Sequence, residues 1–122
     1  MNIALWVVAG ILAAAFLAAG LMKVAQPRPK LVASGMTYAE DFSDGAMKGI
    51  GAVEVLGALG LILPAVLDTA TVLVPLAATG LFLVMVGAAV VHIRRKETFV
   101  PALVLGLLAL VVAVFRFGTY AF

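Results

Sequence analysis

From Ile3 to Met22 the chain carries no charged side chain. Twenty apolar or small residues in a row are long enough, as a helix, to cross about 30 Å of hydrocarbon. Three further, largely apolar stretches follow, at about 46–63, 71–91 and 99–115; residues 23–45 are the only sizeable polar part between them. Inside a bilayer every backbone N–H and C=O must find an internal partner, so stretches like these can only be helices. Four of them with short connections predict an all-α integral membrane protein, an up-down antiparallel four-helix bundle.

Composition points the same way. The 122 residues are 66% hydrophobic and 11% charged, too apolar for a soluble domain to cover its own surface. The length suits one unit, 1–122, with no second domain. There is no cysteine, which excludes disulfides, thiol redox chemistry and Cys-ligated clusters. The formal net charge is +2, and the basic residues gather near span ends. That distribution fits lipid headgroups; nucleic acid would need a basic stripe with aromatics.

The first span competes with a cleaved signal peptide. Such a leader wants a basic start and a shorter core, and Met1-Asn2 brings no side-chain charge, so a retained span is expected. Pro27 and Pro29 keep it from continuing. A short helix lying at the interface is expected from about Pro29 to Ser34, stopped by Gly35. Ser43 or Asp44 should cap the second span and Pro64 end it. Asp68 or Thr71 should cap the third, which tolerates Pro75 in its first turn, and Thr98 the fourth, ahead of Pro101. Trp6 at one end, and Phe117, Tyr120 and Phe122 at the other, suit an interface, as does Arg116 as an anchor.

The first and third connections hold Lys23, Arg28, Lys30, Lys48, Arg94, Arg95 and Lys96, and the opposite side only Arg116. A bias of seven basic residues against one places those two connections in the cytoplasm and both termini outside. The expected location is a bacterial cytoplasmic membrane.

Within the second span, Ile50-Gly-Ala-Val-Glu-Val-Leu-Gly-Ala-Leu-Gly-Leu-Ile-Leu-Pro64 encloses one acid, Glu54. On a helix Gly51, Glu54 and Ala58 share a face, with Gly57 beside them, and Val53, Leu56 and Leu63 lie opposite. The small face lets another helix come close, and an intramembrane acid faces the bundle interior. Gly10, Ala14 and Ala18, repeating every four residues, suggest a second helix–helix seam; the plainer reading is that apolar helices are rich in alanine.

Glu54 admits two roles. It is a proton-carrying or ligand-binding carboxylate, or an acid locked to Lys23, Thr79 or Arg116 that fixes helix register. Lys23 and His92, taken singly, read as interfacial side chains. Taken with Glu54 they come from the same half of the bundle and could form one polar pocket. No phosphate loop, nucleophile elbow, metal-ligand spacing or paired carboxylates appear, so neither catalysis by this chain alone nor a metal site is expected.

The string Ala19-Gly-Leu-Met-Lys23, then Tyr38-Ala-Glu-Asp-Phe42, then Ile50 to Pro64, resembles the DoxX-like family. So do Pro75-Leu-Ala-Ala-Thr-Gly-Leu81 and Met85-Val-Gly-Ala-Ala-Val-Val-His92. The resemblance covers nearly the whole chain. It implies a small four-helix membrane protein, with Lys23, Glu54 and His92 at matching family positions. Some relatives are linked to thiosulfate:quinone oxidoreduction, others to membrane redox-stress complexes, and distant animal relatives look like receptor-assembly chaperones.

Three functions compete. The first is a non-catalytic membrane subunit that binds a quinone or lipid, or anchors a redox partner. The second is an assembly protein whose partners are other membrane chains or copies of itself. The third, a small transporter or proton pathway, ranks last, since only Glu54 lies deep.

Overall fold

The computed structural model of the chain describes residues 2–33, 35, 37–118 and 121. Four long helices carry the architecture: α1 Asn2–Ala25, α3 Asp44–Leu67, α4 Leu73–Arg94 and α5 Val100–Phe117. Between the first two lie a short helix, α2 Arg28–Ala33, and a 3₁₀ turn, Thr37–Asp41. Each long helix is uncharged enough and long enough to cross a membrane. α1 packs along α3, α3 along α4, and α4 along α5, while α5 touches α1 more lightly. The result is the expected all-α, up-down, antiparallel membrane bundle.

Each helix buries one narrow stripe. On α1 it is Leu5, Ala9, Leu12, Phe16, Gly20 and Lys23; on α3 it is Met47, Gly51, Glu54, Ala58, Leu61 and Pro64. Spacings of three and four keep these residues on one face of a 3.6-residue helix. The outward faces carry Ile3, Val7, Ile11, Leu56, Leu83 and Val114, among other large aliphatics. In water such a surface would aggregate; in lipid it costs nothing.

The seam expected at Gly10, Ala14 and Ala18 does not lie within the chain. All three face outward, and a Cβ on Gly10 would meet nothing within 4 Å. The bulk of Leu12 and Phe16 turns the other face of α1 inward, because those side chains fill the core with residues of α3 and α5. The close approach occurs instead between Gly20 and Gly51. A Cβ on either would fall 2.6 Å from the other's carbonyl oxygen.

Helix ends depart from expectation in several places. Ser43 does cap α3, accepting a hydrogen bond from Ala46 N at 3.1 Å. Pro64 does not end that helix. It sits inside the last turns, and the chain leaves only at Asp68, whose left-handed backbone (φ 50°) makes the C-cap. Proline forfeits one intrahelical hydrogen bond there, which the surrounding turns tolerate. Asp68 therefore closes α3, and α4 starts after Val72 with no side-chain cap. The N-cap of α5 is Phe99, although Thr98 Oγ1 still accepts from Val100 N at 3.4 Å.

The connecting segment does more than rest at the interface. Leu31 and Ala39 are fully buried with Met47, and Met22, Val32, Tyr38, Phe42 and Ile50 pack around them. The segment is thereby folded down over one end of the bundle. Gly35, at φ +110°, makes the reversal after α2, a backbone conformation that favours glycine. Ser34, Tyr120 and Phe122 lie outside the described residues.

Candidate functional site

The approach of α1 to α3 sets up the first feature. Gly20 lies just before Lys23, and Gly51 just before Glu54, so the glycine contact brings the two charged residues to one level. In antiparallel helices each Cα–Cβ bond leans toward its own N-terminus, so Lys23 leans into the bilayer and Glu54 leans back toward it. Lys23 Nζ donates to Glu54 Oε1 and forms a buried ion pair. Glu54 is 1% exposed and Lys23 6%. Desolvating two charges is costly, and only close pairing with hydrogen bonding makes it tolerable.

Lys23 does not end at the carboxylate. Its ammonium lies 5.7 Å from the centre of the Tyr38 ring, within range of a cation–π contact. Tyr38 meets His92 edge-on at 5.2 Å and Phe42 edge-on at 6.4 Å. His92 Nδ1 is buried, has no hydrogen-bond partner among the described residues, and lies 3.6 Å from Glu97 Oε1. Lys23, Tyr38 and His92 together form the polar end of a cavity of about 320 Å³. Its walls are apolar: Phe42, Ile50, Val84, Met85, Ala88 and Val91.

Over this end a second network ties the connecting segment to the α4–α5 loop. Thr37 Oγ1 donates to Glu97 Oε2. Arg95 Nε donates to Glu97 Oε1 at 2.9 Å, and Arg95 lies 3.8 Å from Glu40 Oε2. The Thr37 hydroxyl, followed by Arg95 and His92, favours the charged carboxylate and holds Glu97 below the usual glutamate range.

Of the residues singled out in the sequence, Lys23 and Glu54 are in direct contact, and Lys23 and His92 line one cavity. Thr79 takes no part in this group. Its hydroxyl donates to Pro75 O at 2.8 Å, one turn back on its own helix. Arg116 is neither a partner of Glu54 nor a surface anchor. It is 5% exposed at the far end of the bundle, donates to Asn2 Oδ1 at 2.6 Å, and lies 6.0 Å from the Trp6 ring centre. The sequence does not mark Tyr38 and Phe42 as site residues. The available signal was two aromatics four apart in a polar connection, where a solvated loop has no use for them. Among the described residues, no three His, Asp or Glu side chains are gathered where they could hold a metal ion.

The family model described as the DoxX-like family matches residues 7–114. The chain belongs to the DoxX-like family. The matched span contains Lys23, Tyr38, Glu54 and His92, so the whole polar end of the cavity lies in the DoxX-like region. No curated protein and no solved structure matches the chain.

Proposed function

We propose that this DoxX-like protein is a non-catalytic membrane subunit whose cavity holds the head of a quinone or a lipid, or presents it to a redox partner. The observation that carries the reading is the 320 Å³ cavity itself, apolar on its walls and polar only where Lys23, Tyr38 and His92 meet. Small-molecule sites have this make-up: mostly apolar lining with a few polar groups that fix orientation. The Lys23–Glu54 pair braces that end. The protein would sit in a bacterial cytoplasmic membrane with both termini outside.

Thermal unfolding of the detergent-solubilised protein, titrated with a decyl-tailed benzoquinone, tests the proposal. A saturable rise in Tm is expected for the wild type, with His92→Ala and Tyr38→Ala weakening the response at least tenfold. A Tm that does not move at any concentration overturns it.

A second reading has one specific support. The small residues Gly10, Ala14 and Ala18 face outward, where another membrane helix could approach closely. An assembly role would make that face the contact with another chain. Cross-linking in native membranes from a cysteine placed at Ala14 should then trap a defined product.

A further inference from the structure

The cavity is covered on one side and thin on another. Toward the loops, Tyr38 and Phe42 close it, and the turn that bears them is fastened to the α4–α5 loop through Thr37, Glu97, Arg95 and Glu40. Toward the membrane the situation differs. Near the α3–α4 loop the two helices touch closely: a Cβ on Gly57 would fall 2.7 Å from Leu81 Cδ2, and one on Gly60 would fall 2.8 Å from Ala77 Cβ. Beyond Leu81 the cavity separates them, with Ile50 on one side and Val84, Ala88 and Val91 on the other. Gly87 lines this cavity and is also exposed on the outside of the bundle, and a Cβ there would meet nothing within 4 Å. It lies five residues, about 7.5 Å of helix rise, before His92, within the apolar part of α4.

We infer that the cavity is loaded sideways from the bilayer through an opening beside Gly87, and that its ligand is an amphiphile with a neutral, acceptor-bearing head and an apolar tail left in the membrane. The inference rests on the ligand-holding function proposed above. The tail follows from the apolar walls and from an opening that faces hydrocarbon. The neutral head follows from charge: the Lys23 ammonium is already matched by Glu54, so the polar end offers donors without an excess positive charge to attract an anion.

The test uses the full chain in nanodiscs and two probes, dimethoxy-methyl-benzoquinone with a decyl tail and the same head without a tail. Gly87→Phe should fill the opening without a clash. Gly80→Phe is the control, since Gly80 is exposed on the same helix with equally open space and does not line this cavity. Gly87→Phe should weaken the tailed probe at least tenfold and Gly80→Phe less than twofold, and Gly87→Leu should fall between them, all melting with the wild type. The tail-less head should bind wild type and Gly87→Phe alike. If the tailed probe binds wild type and Gly87→Phe equally, the opening is wrong while the ligand-holding function stands. A tenfold loss for the tail-less head as well would mean a damaged head site and overturns the opening. Displacement of the tailed probe by phosphatidylglycerol in place of phosphatidylcholine overturns the neutral head. If the wild type binds neither probe, the proposed function falls, and this inference with it.

Discussion

Gly20 and Gly51 face each other across α1 and α3 so closely that a methyl group on either would stand 2.6 Å from the other's carbonyl oxygen. Real side chains do not come that near to backbone, so a substitution here must push the helices apart. Gly51→Ala or Gly20→Ala should cost about 1–3 kcal/mol, the usual range for forced overpacking. Gly10→Ala, with open space around it, should leave Tm unchanged or raise it, because alanine favours the helix more than glycine does. Detergent melting of the three variants checks this. Equal melting of all three would show that the contact is looser than described.

The same contact shows what the sequence could disclose. The four spans were legible because bilayer length and missing charge leave few alternatives. The burial of Glu54 was legible too, since Gly51, Gly57 and Ala58 narrow its face while Val53, Leu56 and Leu63 widen the opposite one, and those three are exposed to lipid. The α1 seam was not. Gly10, Ala14 and Ala18 form the more regular pattern, yet small residues are as much at home against lipid as against a helix. The true contact uses a single glycine from each helix, a signal with no period. Arg116 misled for a related reason: an arginine near a span end looks like an anchor unless the Asn2 side chain, 114 residues away, is known to meet it.

Breaking the Lys23–Glu54 pair from one side should be costly, because it strands a buried charge. Glu54→Leu removes the acceptor and overfills the face beside Gly51, and about 3–5 kcal/mol is the expected loss. Glu54→Gln keeps an acceptor for Lys23 and should lose less. Lys23→Met in the Glu54→Leu background should recover part of the loss, since no unpaired charge then remains. Melting curves for the wild type, Glu54→Leu, Lys23→Met and the double variant form the cycle. Additive losses in the double variant would mean that the two side chains are not coupled.

Orientation is open to a direct measurement. On the proposed orientation, drawn from the bias of seven basic residues to one, the connecting segment and the α4–α5 loop would face the cytoplasm. Alkaline phosphatase joined after Phe122 should be active, and the same reporter inserted within 94–97 should be silent. A fluorescent protein should give the inverse pattern. An inactive phosphatase at the C-terminus would show that the charge bias does not set the orientation of this chain.

The fastening of the cavity's cover should depend on pH through Glu97. This carboxylate accepts from Thr37 and from Arg95, and His92 Nδ1 lies 3.6 Å away. Its folded-state pKa is held below the ordinary 4.5, chiefly by the Thr37 hydroxyl. A carboxylate with a depressed pKa stabilises the fold wherever it is ionised in both states, that is, above 4.5; that stability is lost as pH falls through the folded pKa. Above pH 4.5, therefore, Glu97→Gln should loosen the turn that carries Tyr38 and Phe42, and well below it the variant and wild type should behave alike. Acidification protonates carboxylates elsewhere in the chain as well, so only the difference between the two proteins is informative. Labelling of a cysteine placed at Tyr38 by a water-soluble maleimide reports opening of the turn, with rates normalised to a free thiol at each pH. The expected result is faster labelling in the Glu97→Gln background at neutral pH, with the two backgrounds converging on acidification. A difference that persists unchanged to pH 3 would mean that Glu97 acts through its shape and not its charge.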